Sequence, residues 1–224
     1  MRVSTGLKKL DGMLSGGFPE NSVILLSGEP GTGKTLLGLK FLLEGARKKE
    51  KCCFVTLTES KDELLRACDS VKSLSGVKKY IDKNLAIEYI PMGQSNVTMK
   101  RFIDIVANYP NVDRIVIDNV NKLLMFSENN KAYRAYLVEL VKTLKSTKSS
   151  LLLCETPDDD GLDSGADEAF ECDGVVQLVF LDLEEKPMRA LIIHKLRYTN
   201  FDVKLPHELK INNNDIKLTE TKVI

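Results

Sequence analysis

Tryptophan is absent from this chain, and histidine occurs only at His194 and His207. Both histidines are isolated and read as structural or peripheral rather than catalytic. Net charge is also absent, because Lys plus Arg and Asp plus Glu number 32 each. No overall field therefore draws the protein to DNA or to an anionic membrane, and any nucleic-acid contact has to come from a local patch. There is no CxxC; Cys52, Cys53, Cys68, Cys154 and Cys172 stand mostly in apolar runs. That placement favours reduced, buried thiols over disulfides or metal ligands, and with it a cytoplasmic location. No stretch approaches the roughly 18 apolar residues of a membrane span, and the N-terminus shows no signal-peptide pattern. No Pro/Gly/Ser-rich linker divides the 224 residues, so a single domain over 1–224 is expected.

What is present is most distinctive between Gly28 and Thr35. Gly28-Glu29-Pro30-Gly31-Thr32-Gly33-Lys34-Thr35 matches the phosphate-binding pattern G-x-x-x-x-G-K-[ST]. The apolar run Val23-Ile24-Leu25-Leu26 precedes it, and the helical pattern beginning Leu36-Leu37 follows. Small residues let successive backbone N–H groups curl around phosphate oxygens at a helix N-terminus, where the dipole favours negative charge. The segment from Glu29 to Leu36 (Glu29, Pro30, Gly31, Thr32, Gly33, Lys34, Thr35, Leu36) is thus expected to hold a nucleoside triphosphate. Lys34 would reach the β- and γ-phosphates, and the Thr35 hydroxyl would hold Mg²⁺.

Strand and helix patterns alternate around this loop. Val23–Ser27, Cys52–Leu57, Leu85–Ile90, Arg114–Asp118 and Ser150–Glu155 read as strands, nearly continuous in apolar character, as suits a parallel sheet buried on both faces. Thr35–Lys49, Lys61–Lys72, Thr98–Asn108 and Lys131–Lys145 show helical spacing, and Ser60 with Glu63 forms a capping-box pattern. The alternation predicts a three-layer α/β core. After about residue 174 the pattern becomes Val175–Leu181, Met188–Lys195, Glu208–Ile211 and Ile216–Leu218, with turn signals at 184–187 and 212–215. These read as antiparallel strands extending one edge of the sheet.

Nucleotide hydrolysis needs a carboxylate that supports the metal and a group that positions water. Arg114-Ile115-Val116-Ile117-Asp118 is a buried strand ending in an acid, a Walker B arrangement in which Asp118 would orient Mg²⁺. Glu59, after Phe54-Val55-Thr56-Leu57-Thr58, is open to two readings: it polarises water, or it is a first-turn acid favouring the helix dipole.

These motifs, with Ser4-Thr5-Gly6-Leu7, Leu10-Asp11, Leu14, Gly16-Gly17-Phe18-Pro19 before them and Lys195-Leu196-Arg197-Tyr198-Thr199 after them, resemble the KaiC-type branch of the RecA/RadA ATPases, which includes archaeal RadA paralogues. The resemblance covers nearly the whole chain. It implies a RecA-like three-layer P-loop core with a mostly parallel central sheet, ATP with Mg²⁺ as ligands, and a homo-oligomer, in the family often a hexameric ring with ATP between subunits. It further implies that Lys195 and Arg197 act in trans on the γ-phosphate held by a neighbour; as plain residues they would be a basic pair on an exposed edge strand. The family commonly carries two adjacent glutamates after the second strand, the first being the principal base. Here those positions are Thr58 and Glu59, so Glu59 works alone, Glu155 helps, or turnover is slow.

Superfamily recombinases bind single-stranded DNA through basic loops with stacking aromatics. Lys122, Lys131, Tyr133, Arg134 and Tyr136 are compatible with this, although Tyr133, Tyr136, Leu137 and Leu140 also fit the buried stripe of a helix. Between Lys148 and Lys186 there is no Lys or Arg, while Asp158, Asp159, Asp160, Asp163, Asp167, Glu168, Glu171 and Asp173 crowd one segment. Such a segment repels phosphates unless it docks a basic partner or lines a ring pore. A recombinase or signalling protein is the partner class this leaves open. Since the family motif begins at Ser4, the resemblance leads one to expect no N-terminal DNA-binding or polymerising extension of the kind full recombinases carry.

Overall fold

The apolar runs pair side by side as the centre of one nine-stranded sheet. The structure is a computed structural model and describes all residues except 92–97, 110, 158–160, 184–185, 203 and 223–224. Its elements are β1 (Arg2–Val3), α1 (Lys8–Met13), β2 (Phe18–Pro19), β3 (Ser22–Gly28), α2 (Lys34–Arg47), β4 (Cys52–Thr56), α3 (Lys61–Asp69), β5 (Leu85–Tyr89), α4 (Met99–Ala107), β6 (Arg114–Asp118), α5 (Asn130–Leu144), β7 (Ser149–Glu155), α6 (Glu168–Glu171), β8 (Gly174–Leu183), β9 (Lys186–Leu196), β10 (His207–Ile211) and β11 (Ile216–Lys222), with 3-10 turns at Lys72–Lys79 and Val120–Phe126.

The sheet order is β11-β10-β9-β8-β3-β7-β6-β4-β5. Six neighbours from β8 to β5 run parallel, and β9, β10 and β11 add antiparallel strands at one edge. The first C-terminal strand differs from the sequence reading in one respect: β8 is parallel to β3, from Ile24↔Gly174 to Gly28↔Leu178, and turns antiparallel only towards β9. A strand that follows a crossover can join the parallel set, and the apolar pattern alone does not distinguish the two.

Strand alternation divides the core into two layers. Ile24 and Leu26 pack with Leu39, Phe41 and Leu42 of α2, whereas Val23 and Leu25 face Leu137, Leu140 and Tyr133 of α5. Helices on both faces explain why the strands are apolar throughout rather than alternating. All five cysteines are free and buried, and burial pushes the Cys52 and Cys53 thiols up to about 12. Among the described residues no helix is long and apolar enough to cross a membrane.

The capping box at Ser60 forms as its sequence suggests, with the Glu63 carboxylate accepting from the Ser60 N–H at 2.8 Å. Helix α3 ends at Asp69, short of Lys72, because the chain then tightens into 3-10 turns from Lys72. The β1–β2 ribbon and α1 were not read from the sequence. The Ser4–Asp11 part of the leader motif makes this corner: Asp11 Oδ1 accepts from the Thr5 N–H and hydroxyl, both at 2.7 Å, and Oδ2 from Ser4 at 2.6 Å. Gly6 sits at φ +84°, with the Lys40 carbonyl 3.0 Å from where a Cβ would stand, so a larger residue is excluded.

Candidate functional site

The parallel strands β3, β4, β6 and β7 all end at the same edge, and their loops enclose a cleft of about 520 Å³. This is where ligands sit in open α/β sheets, outside the carboxyl ends of the strands. Pro30, Gly31, Gly33, Lys34, Thr35 and Leu36 line it from the loop after β3, Thr58 and Glu59 from the loop after β4, Asp118 from β6 and Glu155 from β7. Five of the expected site groups therefore converge: Lys34, Thr35, Glu59, Asp118 and Glu155.

The phosphate loop has the shape its glycines allow. Gly31 and Gly33 take φ +82° and +107°, and Gly33 is the left-handed N-cap of α2. A Cβ on Gly33 would lie 2.4 Å from Ile211 Cδ1, and one on Gly28 would lie 2.2 Å from the Leu178 carbonyl oxygen. Thr32 closes the turn from within, its hydroxyl donating to the Glu29 carbonyl at 2.8 Å. Lys34 is buried, and its ammonium donates to the carbonyls of Gly28 and Glu29 at 2.8 and 2.9 Å. Burial lowers its pKa, against the pull of Glu155 and Asp118. The helix start, the glycine cradle and this ammonium fit a polyphosphate.

Asp118 is 5 % exposed and accepts from the Thr35 hydroxyl at 2.7 Å. Burial raises its pKa to about 6, with Thr35 pulling the other way and the Glu59 charge adding to the rise. A buried carboxylate held so far from its usual range, hydrogen-bonded to a P-loop hydroxyl, fits a hard cation bound by one or two protein oxygens and by phosphates. Among the described residues no cluster of three His, Cys, Asp or Glu offers an all-protein metal cage.

Glu59 stands just before the N-cap Ser60, and the first-turn acids of α3 are Asp62 and Glu63. The helix-dipole reading therefore falls to those two residues, and Glu59 is left facing the cleft. The turn that presents it is tied by Thr56, whose hydroxyl donates to the Glu59 carbonyl at 2.8 Å and accepts from the Glu59 N–H at 3.0 Å. Burial, and then Glu63, raise the Glu59 pKa. Thr58 is exposed beside it. Glu155 is steadied by its own N–H, which donates to Asn121 Oδ1 at 3.1 Å.

Lys195 and Arg197 are not brought to this cleft. Lys195 pairs with Val175 at the amino end of β8, and the Arg197 N–H donates to Asp173, whose own N–H donates to Val23. Five residues of β3 separate that level from Gly28, roughly 16 Å along the strand. Nor is β9 an edge strand, since it lies between β8 and β10. One extra residue, His194, interrupts the β8–β9 register between Ile193 and Lys195, a bulge that re-aims the Lys195 side chain. Lys195 donates to the carbonyls of Ala169, Phe170 and Cys172, and Arg197 pairs with Asp173 at 3.3 Å.

The DNA-directed expectations change in two ways. Tyr133 is fully buried, its hydroxyl donating to Glu168 and Val120, and Leu137 and Leu140 are buried with it, so the stripe belongs to the core. Part of the acidic segment is engaged from within. Asp167 and Glu171 both hold Arg134, Asp173 holds Lys145 and Arg197, Glu168 is buried, and Asp163 accepts two backbone N–H groups. Asp158, Asp159 and Asp160, like the turn residues 184–185, lie outside the described residues.

Two participants carry no motif and were missed, and a third, Lys122, was read as a DNA-loop residue and lines the cleft instead. Lys122 stands there from the turn after β6. The two missed are Arg189 of β9, which donates to the Gly31 carbonyl at 3.3 Å while stacking on Phe180, and Ile211 of β10, which packs on Gly33. The signal would have required knowing that the C-terminal strands fold over the phosphate loop, which strand periodicity does not give.

The sequence pattern of the family described as ATPase: KaiC matches residues 3–223. A UPF0273 protein of Pyrococcus horikoshii is 27% identical, over 100% of this chain and 96% of its own length. The circadian clock oscillator protein KaiC of Nostoc sp. is 28% identical over 88% of this chain, which spans only 38% of that protein. Among solved structures, a KaiC-like protein from the hyperthermophilic archaeon Pyrococcus horikoshii superposes with a TM-score of 0.84 at 28% identity, covering 98% of this chain and 99% of that one.

Proposed function

The chain belongs to the KaiC family of ATPases, and from that premise we propose that residues 1–224 form one ATPase domain that binds Mg-ATP in the cleft and hydrolyses it slowly to moderately. The observation that carries the reading is the convergence of Lys34, Thr35 and Asp118 on a glycine cradle at a helix N-terminus. The loop N–H groups and Lys34 would hold the phosphates, and Thr35 and Asp118 would hold the metal. Mg²⁺, when bound, neutralises charge on the β- and γ-phosphates. Glu59, its pKa raised by burial, orients the attacking water and takes its proton, with Glu155 as a further carboxylate lining the cleft. The water's oxygen would bond to the γ-phosphorus as the bond from that phosphorus to the β–γ bridging oxygen breaks, giving inorganic phosphate and ADP, with the water's proton passed to Glu59.

Of the basic residues on the C-terminal side of the chain, Arg189 touches the phosphate loop through the Gly31 carbonyl, whereas Lys195 and Arg197 stand at the other end of the sheet and do not reach this cleft within one copy. This supports a role for them in trans, with a neighbouring copy supplying them to the γ-phosphate. Thr58 supports a second reading, a low-turnover ATP-gated adaptor for a recombinase or signalling partner, because a hydroxyl stands where the family places its principal base.

The test is ATP turnover by the purified protein with and without single-stranded DNA, with Lys34→Ala subtracting contamination. Turnover above that control supports the ATPase, and stimulation by DNA places it with recombination factors. Turnover equal to the control leaves the adaptor, and Thr58→Glu should then raise hydrolysis well above wild type.

A further inference from the structure

A second cleft, of about 600 Å³, opens between α1, α2 and β11 and shares no lining residue with the nucleotide cleft. Leu7, Ile216 and Leu218 give it an apolar side that belongs to the same core layer as α2. The leader motif, which the nucleotide site leaves unused, builds another: Ser4, Gly6 and Asp11 line the cleft, with Gly6 pressed on the Lys40 carbonyl of α2.

Charge around this cleft is lopsided. Its acids are already engaged: Asp215 holds Lys40 at 2.7 Å, Glu44 holds Lys48 at 2.9 Å, and Asp11 accepts from Ser4 and Thr5. Lys8, Lys9, Arg47 and Lys217 also line it, all exposed, and among the described residues none of the four forms an ion pair within 4.0 Å. Two of them stand where helix physics disfavours a cation. Lys8 and Lys9 open α1, whose N-cap Leu7 makes no side-chain cap bond, whereas a helix start carries partial positive charge and favours acids. Scattered lysines on a solvated helix face need no further account, but here four cations converge on a concavity and two of them break a local rule that nothing within the chain compensates. Such breaks fall where function sets the residue.

We propose that this cleft is a second anion site, taking a small ligand with two or more phosphoryl groups held by Lys8, Lys9, Arg47 and Lys217. A cavity of this size suits a small molecule. The planar fork of Arg47 beside lysine point charges is the combination that recognises phosphoryl oxygens. Lys40, Glu44 and Arg47 lie on the helix that begins at Lys34, so the ligand rests on the far half of the phosphate-loop helix, with Arg47 about 20 Å along it from Lys34. The inference stands apart from the reading of the nucleotide cleft and does not depend on turnover.

The experiment is calorimetric titration of the full Lys34→Ala chain with sodium tripolyphosphate at about 0.15 M salt, the substitution suppressing binding at the phosphate loop. Tripolyphosphate should bind with a Kd below about 1 mM, Arg47→Ala and the pair Lys8→Ala/Lys9→Ala should each weaken it by about tenfold or more, and a charge-matched control on α5, Lys131→Ala/Lys142→Ala, should change it by less than about twofold. Thermal unfolding shows that the variants fold: the Lys8→Ala/Lys9→Ala chain should be at least as stable as its parent, since it removes cations from a helix start, and should lose the rise in Tm that tripolyphosphate gives. Absence of binding, binding that the cleft variants leave unchanged, or equal weakening by the α5 control would overturn the site. Tighter binding of a single-stranded oligonucleotide, lost in the same cleft variants, would overturn the small ligand in favour of a nucleic-acid backbone.

Discussion

The two ends of the central sheet treat charge in opposite ways. At the amino end, charges are matched within the chain: Arg114 and Lys148 share Glu50, Lys148 also pairs with Asp113, and Lys145 and Arg197 share Asp173. At the carboxyl end, Glu59, Asp118 and Glu155 surround one cleft, and among the described residues none of the three forms an ion pair within 4.0 Å. Matched charges hold the fold together. Like charges left facing one another, with pKa values raised by burial at Asp118 and Glu59, cost stability that a ligand can return.

The comparison breaks most strongly at Glu59. Glu59→Gln keeps the shape and removes the base, and single-turnover assays should show hydrolysis lowered by about 10²–10⁴-fold with ATP affinity little changed. At the other end, Arg114 is 1 % exposed and donates to Glu50, to the Ser4 and Phe41 carbonyls, and lies over the Phe41 ring. Arg114→Ala leaves Glu50 without its buried partner, and denaturant unfolding should show a loss of about 3–5 kcal/mol.

Asp118 sharpens the contrast through pH. Its folded pKa is raised from 3.8 to about 6, so the folded chain holds a proton there that the unfolded chain has released. Stability from this group is therefore complete below about pH 4 and lost as pH rises through about 6. With a chelator present, Asp118→Asn should be more stable than wild type at pH 7 by about 3 kcal/mol, the gap closing towards pH 4, while Mg²⁺-dependent ATP binding is lost. Calorimetry across that range checks it. The smallest effect is expected at Ser60, where Ser60→Ala removes the α3 cap and should cost about 1 kcal/mol in thermal unfolding.

What the sequence disclosed follows the same division. Gly28–Thr35 and Asp118 were legible because phosphate and metal chemistry dictates residue types at fixed spacing next to strand ends, whereas Glu59 stayed between two readings until the cap at Ser60 placed it outside the helix. The five parallel strands were legible because burial on both faces leaves continuous apolar runs. The direction of β8, the bulge at His194 and the contacts of Arg189 and Ile211 with the phosphate loop were not, since they depend on which strands become neighbours. The pairing of the acidic segment was not legible for a related reason: its charges look unopposed along the chain, and Arg134, Lys145 and Arg197 meet Asp167, Glu171 and Asp173 only after folding.

The central claim is that the basic surface at one end of the sheet completes the acidic cleft at the other end in a second copy. Mixing Lys34→Ala with Arg197→Ala tests it most directly, since each variant retains the half that the other lacks. If the site is shared, two variants that are each inactive alone should regain turnover when mixed one to one, towards roughly a quarter of the wild-type rate for random assembly. A mixture whose subunits are shown to co-assemble yet no more active than the sum of its parts would contradict the account.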